Sequence, residues 1–256
     1  MSNQHTTVLR DSLSKVPAVT LMFWVVKIAA TTLGETAGDA VSMSMNLGYL
    51  VGTAIFATLF LASVAVQIRA TRFNPWLYWL TIIATTTVGT TMADFADRSL
   101  GIGYAGGSAL LLLLLVASLA VWYRTMGSVA VASVNTPKVE VFYWVTIMFS
   151  QTLGTALGDW TADTAGLGYS GGAIVFSGLL ACVVAAWRWT TLSRTALFWT
   201  AFVLTRPLGA VVGDLLDKPY SAGGLALSRY TASAALLVFV GGCLLLSPQR
   251  ATSKAH

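Results

Sequence analysis

The sequence predicts an all-α membrane protein with eight transmembrane helices, built from four parallel two-helix repeats. The first observation is composition. Of 256 residues, 56% are hydrophobic and only 10% are charged, against about 25% charged residues in soluble domains. The second is a repeated spacing, in which a tryptophan is followed ten residues later by glycine and fifteen residues later by aspartate. The sets are Trp24, Gly34, Asp39; Trp79, Gly89, Asp94; Trp144, Gly154, Asp159; and Trp199, Gly209, Asp214.

Eight apolar stretches divide the chain. Each is long enough to cross a hydrocarbon core of about 30 Å at a rise of about 1.5 Å per residue. They are continuous rather than alternating in short units, which favours helices over strands. The predicted spans are residues 17–41, 47–68, 75–96, 103–123, 139–161, 168–187, 195–216 and 222–246.

The repeats define the domain organisation. We expect one membrane domain over residues 17–246, with tails at 1–16 and 247–256. Each repeat holds two spans, so all four enter the membrane in the same direction, as parallel repeats. The first span carries its own Trp, Gly and Asp and is therefore not a removable signal peptide. The repeats cover about 17–73, 74–137, 138–194 and 195–246.

Basic residues predict the orientation. The side that carries both termini and the loops after spans 2, 4 and 6 is rich in Lys and Arg, and the other side has only Arg98 and Lys218. By the positive-inside rule both termini are expected in the cytoplasm. The net charge of +5 then reflects topology, and no nucleic-acid partner is expected. The basic residues of the first side are Arg10, Lys15, Arg69, Arg72, Arg124, Lys138, Arg188, Arg194, Arg250 and Lys254.

Small residues one helical turn apart predict how the helices pack. Glycines recur four residues apart on the first helices, as in Gly34 and Gly38 or Gly154 and Gly158. Such pairs let helix backbones approach closely in lipid. The first helix of each repeat is therefore expected to pack against the other first helices.

The first helices also share a polar face. When each is projected at about 100° per residue, the strongly polar side chains fall on one side and the opposite side is aliphatic. Four such faces are expected to converge on a central cavity. The polar residues are Lys27, Thr31, Glu35 and Asp39; Thr86, Asp94 and Asp97; Gln151 and Asp159; and Arg206, Asp214 and Asp217.

Four tandem two-span units with this Trp, Gly and Asp spacing resemble a bacterial family of membrane-anchored proteins made of four copies of a repeat of unknown function. The resemblance covers about residues 17–246. It implies an eight-span protein of the bacterial inner membrane and no settled activity.

The acidic residues are the candidate site. Eight of the ten lie in the outer half of the membrane or at its outer mouth. Oxygen ligands suit hard cations such as Mg²⁺ or Mn²⁺, so Asp39, Asp94, Asp159 and Asp214 are candidate metal ligands. The alternative is structural, with each aspartate accepting hydrogen bonds from the Gly-Tyr loop that opens the second helix. The expected cation pathway adds Glu35, Asp97, Asp163, Asp217, Thr31, Thr86 and Gln151.

Two basic residues and the tryptophans have two interpretations each. Lys27 and Arg206 either gate the pathway by pairing with Glu35 and the aspartates when substrate is absent, or pair with carboxylates permanently, as a structural link between repeats 1 and 4. Tryptophans near a membrane surface are usually anchors. Their position on the polar face also suits closure of the cavity, by Trp24, Trp79, Trp144 and Trp199.

The leading functional expectation is a transporter or channel for a cation, in the first place a divalent metal ion. Whether the cation is exchanged for protons is left open. A non-transporting sensor or assembly protein is the alternative. An enzyme is not expected, since the only histidines are His5 and His256, which excludes a His-based zinc centre or bis-histidine haem within the bundle. No cofactor is expected. The expected partners are the lipid bilayer and a small cation, with homo-oligomerisation left open.

Overall fold

The computed structural model describes residues 14–252, and within them the chain is helical without any β-strand. Predictions that concern His5, Arg10, Asp11, Lys254 and His256 lie outside the described residues. So does most of the N-terminal tail.

Eight long helices follow in chain order, two to each repeat. In the first three repeats the first helix ends at the repeated aspartate and continues as one wide π-helical turn, at Ala40–Ser44, Phe95–Ser99 and Trp160–Thr164. The helices are α1 (Leu21–Asp39), α2 (Gly48–Arg69), α3 (Pro75–Asp94), α4 (Tyr104–Met126), α5 (Pro137–Asp159), α6 (Gly168–Trp189), α7 (Arg194–Asp217) and α8 (Arg229–Leu246).

Local chemistry determines where the first helices begin. The side chain of Asn74 accepts hydrogen bonds from the N–H groups of Trp76 and Leu77, and Pro75 occupies the first helical position. Thr20 and Ser193 cap α1 and α7 in the same way. Such caps satisfy N–H groups that have no partner within the helix.

The first helices form a closed central ring in the order α1, α3, α5, α7, with α7 returning to α1. Each second helix packs mainly on the first helix of the following repeat: α2 on α3, α4 on α5 and α6 on α7. The last one, α8, packs on α1 and closes the circle. Every repeat is thus completed by the next, so a single repeat does not bury its own apolar surface.

The predicted glycine seams lie at these ring contacts. The glycine ten residues after each Trp receives the side chain that stands seven residues after the Trp of the next repeat. A Cβ at Gly89 would lie 3.0 Å from the backbone of Gln151, tighter than normal contact. The pairs are Gly34 with Thr86, Gly89 with Gln151, Gly154 with Arg206, and Gly209 with Thr31.

Five of the eight helices, α2, α4, α6, α7 and α8, are long and apolar enough to cross a membrane. The prediction of eight long helices is therefore confirmed, but only five of them meet the length and apolarity expected of a membrane span. α1, α3 and α5 are richer in threonine and acidic residues, and most of their side chains are buried inside the bundle. A helix enclosed by others does not need a lipid-compatible surface, whereas the second helices expose large aliphatic side chains such as Ile174 and Leu113.

The second helix of the fourth repeat begins later than predicted, at Arg229 rather than near residue 222. A short 3₁₀ turn, Tyr220–Ala222, comes first and ends at Gly223, whose φ is 83°. Only glycine adopts this left-handed conformation at little cost. The extended segment that follows sets Arg229 at the start of α8.

The described parts of the tails pack against one end of the bundle, here called the terminus end. The backbone N–H of Ala18 donates to Arg250 O at 2.8 Å, and that of Thr252 to Val16 O at 2.9 Å. Beside them Lys15 forms a buried ion pair of 2.6 Å with Glu140 on α5. The opposite end, where the aspartates lie, is here called the aspartate end.

Candidate functional site

Aromatic side chains close the terminus end of the central ring. The residue before each repeated Trp is also aromatic, and Phe23, Tyr78, Tyr143 and Phe198 are all buried. The hydroxyls of Tyr78 and Tyr143 are 2.7 Å apart. This second aromatic position was not among the predicted residues, although its fourfold recurrence is visible in the chain.

The predicted cavity-closing tryptophans belong to the same layer. Trp79, Trp144 and Trp199 are buried, while Trp24 is half-buried. The indole N–H of Trp79 donates to Gln249 at 3.2 Å, and that of Trp199 to Val129 O at 2.9 Å. These indoles therefore pack inside the bundle and tie it to the loop and the C-terminal segment that cover it.

One turn further along, Lys27 points into the interior. Its side chain is completely buried, and its Nζ lies 4.2 Å from the centre of the Phe202 ring. Within residues 14–252 this Nζ has no hydrogen-bond partner. The expected ion pair between Lys27 and a carboxylate is therefore not formed, because Glu35 pairs with Arg206 instead.

Arg206 occupies the middle of the ring and is fully buried. Its Nη2 donates to Glu35 Oε2 at 2.9 Å, to Thr90 Oγ1 at 2.6 Å, and to Thr155 Oγ1. These three acceptors stand at the same position of repeats 1, 2 and 3. One guanidinium from the fourth repeat thus joins all four first helices.

The other predicted polar pathway residues lie at the level of Arg206. Thr31 donates to Thr205 O at 3.2 Å, which links α1 to α7. Thr86 and Gln151 are fully buried, and their side-chain polar atoms have no partner in the part of the chain that the structure describes.

The four repeated aspartates meet at the aspartate end around two basic side chains. Arg98 lies 2.8 Å from Asp94 and 3.5 Å from Asp159. Lys218 lies 2.5 Å from Asp39 and 3.0 Å from Asp214. All four carboxylates are buried. The aspartates are therefore bridged in two pairs, each pair joining neighbouring repeats.

This arrangement differs from the predicted helix–loop clasp. Among residues 14–252, Arg98 donates to Asp94 and Asp159, Lys218 donates to Asp39, and no loop N–H group donates to these carboxylates. Arg98 and Lys218 were predicted only as charges on the outer side of the membrane, and their pairing with the aspartates was not predicted. The signal was their position four residues after Asp94 and Asp214, the spacing at which helical side chains meet.

Arg229 adds a third basic group to the pair formed by Asp39 and Asp214. It lies 3.0 Å from Asp217 and 3.7 Å from Asp39. One ligand oxygen each from Asp39, Asp214 and Asp217 falls within a 4.8 Å cluster. These carboxylates could hold a cation if the basic side chains moved away.

At the aspartate end, the carboxylates stabilise the charged forms of Lys218 and Arg98. Burial alone would lower the pKa of Lys218, but Asp214, Asp39 and Asp217 raise it above its ordinary value. Burial likewise disfavours charge on Arg98, and Asp94 and Asp159 raise its pKa. Both side chains therefore remain charged at neutral pH.

Two predicted pathway residues stand apart from this cluster. Asp163 is exposed and takes no part in the ion pairs among the described residues. Asp97 is half-buried and lies against Gly107 on α4, outside the ring, where burial raises its pKa. Asp163 occupies the position held by Arg98 and Lys218 in repeats 2 and 4.

A large groove lies on the outside of the ring, away from the aspartates. It has a volume of about 500 Å³ and runs along the outside of the ring between α1, α6 and α7. Its lining is apolar apart from residues such as Arg194 and Thr205, and it contains none of the repeated aspartates. The polar interior of the ring is thus separate from this groove.

The family profile described as Repeat of Unknown Function (DUF347) matches the chain four times, at residues 22–73, 77–128, 142–193 and 197–247. No curated protein matches the chain. No solved structure matches it either. The four matches cover most of the sequence and coincide with the four structural repeats, and the chain therefore belongs to the family built from this repeat of unknown function.

Proposed function

We propose that this protein is a membrane transporter or channel for a cation, specifically a divalent metal ion such as Mn²⁺ or Mg²⁺. One observation carries the proposal. The repeated aspartate of every repeat is buried, and the four meet in two pairs around shared basic side chains at one end of a closed helical ring. Ionisable groups inside a membrane protein are costly and usually mark an ion pathway.

The proposed site is the cluster of Asp39, Asp94, Asp159 and Asp214, with Asp217 beside it. Carboxylate oxygens are the ligands that hard divalent cations prefer. In the state described, Lys218 and Arg98 occupy the places that a cation would take. Binding would require them to swing outward, and Arg98 is already the most exposed of the group, with 32% of its side chain accessible. Protons could compensate the carboxylates when the cation leaves.

The proposed pathway continues inward past Glu35, Thr31, Thr86 and Gln151. Arg206 blocks it at mid-depth as a gate, and the aromatic layer closes the terminus end. In this interpretation the described conformation is occluded from the terminus end and locked by ion pairs at the aspartate end. Transport would alternate between opening these two barriers.

The proposal also specifies the membrane and the orientation of the protein in it. We place all eight helices across a bacterial inner membrane, with α1, α3 and α5 shielded from lipid by the apolar helices around them. Both termini are assigned to the cytoplasm by the positive-inside rule. No catalytic step and no cofactor is part of the proposal, nucleic acid is not a partner, and homo-oligomerisation is left open.

A second candidate function is a non-transporting sensor or assembly protein. The observation that favours it is that each ion-pair bridge joins one repeat to the next. The aspartates would then hold the ring together without binding any cation. Arg206, which is bonded to three other helices, would serve the same purpose.

A thermal-shift screen of the purified protein in detergent separates these functions. The screen would compare Mg²⁺, Ca²⁺, Mn²⁺, Co²⁺, Ni²⁺, Zn²⁺, Na⁺ and K⁺ at two pH values. A ligand that binds only the folded state stabilises it by about 2.7 kcal/mol at a hundredfold excess over Kd. We expect a selective shift that Asp94→Asn abolishes and the exposed control Asp163→Asn retains. A flat screen favours the structural role.

A further inference from the structure

The middle of the ring holds a group of buried polar atoms that the carboxylate cluster does not use. Lys27, Thr86, Gln151 and Arg206 each have 0% exposed surface. Within residues 14–252 the following atoms lack a hydrogen-bond partner: Lys27 Nζ, Thr86 Oγ1, both polar atoms of the Gln151 amide, and Arg206 Nε and Nη1. Buried polar groups are almost always paired, so these atoms mark a place for a partner.

These atoms occupy adjacent levels of the ring. Thr86, Gln151 and Arg206 stand seven residues after the Trp of their repeats, and Lys27 stands three residues after its own. Lys27 is therefore about one turn, or roughly 5.4 Å, nearer the aromatic layer. Four different helices thus carry free, buried polar atoms at two adjacent levels of the ring.

The unpaired atoms are mostly donors. Lys27 and Arg206 offer N–H groups, and so does the amide nitrogen of Gln151. Arg206 has already committed its Nη2 to Glu35 and two threonines. When Lys27 is protonated, the two basic side chains between the aromatic layer and the aspartates carry one charge more than Glu35 cancels. Leaving that charge unpaired in a dry interior is expensive.

We propose that a small monovalent anion, of the size of chloride, binds in the ring between Lys27 and Arg206, with the Gln151 amide and the Thr86 hydroxyl completing its donors. The anion neutralises the excess charge and accepts from several N–H groups at once, which water alone does not do. Packing limits its size, because Ile82, Ile147 and Phe202 fill the level of Lys27 and are fully buried. The anion lies at a different level of the ring from the aspartates, beside the Arg206 gate of the proposed pathway. Its binding goes beyond cation transport and does not require it.

The test is a thermal-shift titration of the wild-type protein with sodium chloride and sodium bromide. Sodium gluconate holds the ionic strength constant, and sodium sulfate serves as a multiply charged comparison. We expect a saturable rise in Tm of about 3 °C or more with either halide, and with sulfate only the non-saturating rise that kosmotropic salts give folded proteins in general. An unchanged Tm across the halide series, or a non-saturating rise that follows sulfate, overturns the proposal.

Variants assign the response to the site. Lys27→Met should abolish it, while Lys138→Met, which removes an exposed lysine from the start of α5, should retain it. Gln151→Leu keeps both charges and should shift the halide midpoint upward by about tenfold, since a hydrogen bond to a charged group is lost. An unshifted midpoint in Gln151→Leu contradicts the assignment even if Lys27→Met does not fold. A cation screen that fails leaves these outcomes unaffected.

Discussion

Arg98 and Lys218 occupy equivalent positions in repeats 2 and 4, and each bridges the aspartate of its own repeat to that of the following one. Repeats 1 and 3 carry Met43 and Asp163 at this position. All four repeats therefore supply an aspartate, but only repeats 2 and 4 supply a basic residue that bridges two of them. The two pairs of aspartates are chemically similar, but Arg229 contacts only one of them.

Removing Lys218 should strongly destabilise the protein. Lys218→Met leaves Asp39 and Asp214 close together without their shared cation, and breaking a buried ion pair typically costs about 3–5 kcal/mol. Since burial is not quite complete, we expect the lower part of that range, measured as a drop in Tm in detergent. The double variant Lys218→Met with Asp39→Asn should recover part of the loss. A single variant as stable as the wild type would contradict the bridging role.

The same bridge predicts a pH response. The folded-state pKa of Lys218 is raised by Asp214, Asp39 and Asp217, so its contribution is fully present below the ordinary lysine pKa. That contribution is lost only as the pH rises through the raised value. Wild-type Tm should therefore show no loss from this group between pH 7 and about 10, and Lys218→Met should remain lower across the whole range. Convergence of the two Tm curves below pH 10 would contradict this assignment.

Glu35 should matter because of Arg206. Glu35→Gln leaves a completely buried guanidinium without its carboxylate, and we expect a loss of about 3–5 kcal/mol in stability. The matched control is Asp163→Asn, an exposed acid-to-amide change that should stay within about 0.5 kcal/mol of the wild type. Equal effects of the two changes, measured by thermal unfolding, would show that the central ion pair does not stabilise the ring.

The glycine seams give a steric test. A Cβ at Gly154 would collide with the side chain of Arg206, and overpacking of this kind typically costs about 1–3 kcal/mol. Gly178 lies on α6 with open space where its Cβ would be. Gly178→Ala should therefore be neutral or stabilising by about 0.5–1 kcal/mol. Similar Tm values for the two alanine variants would argue against the close approach of α5 and α7.

Orientation can be tested by cysteine labelling in intact cells. Cys182 and Cys243 are the two free cysteines and would first be replaced by alanine. A membrane-impermeant maleimide should then label Asp163→Cys at the aspartate end and spare Arg72→Cys at the terminus end, both of which are exposed positions. The reverse pattern would place the termini outside the cell.

The repeat architecture could be predicted because its signals are local. Fixed spacing from Trp24 to Asp39 and its three copies determined the repeat number, and the four-residue glycine spacing indicated which helices touch. The exchange of second helices between repeats, as in α8 on α1, has no local signal, since an apolar helix pattern does not specify its neighbour.

The sequence predicted most of the residues of the candidate site, but not which acidic and basic side chains pair with one another. The repeated aspartates, Glu35 and Arg206 were expected on the polar face. The structure gathers the aspartates at one end of the ring and pairs Glu35 with Arg206 in its middle. Lys27 was expected to pair with a carboxylate, but Glu35 forms its ion pair with Arg206. Arg98 and Lys218 looked like loop charges. Their position four residues after Asp94 and Asp214 is visible in the sequence, but it brings the side chains together only because helical turns continue up to these residues, which the apolar pattern does not show.

The most direct test of the central proposal is a flux measurement in proteoliposomes. Purified protein would be reconstituted with a metal-sensitive dye inside, and Mn²⁺ or Mg²⁺ added outside with and without a pH gradient. The proposal predicts saturable entry that Asp94→Asn and Asp159→Asn abolish and that Asp163→Asn leaves intact. Flux no greater than in protein-free vesicles, although the reconstituted wild-type protein is folded, would contradict cation transport and favour the structural role of the aspartates.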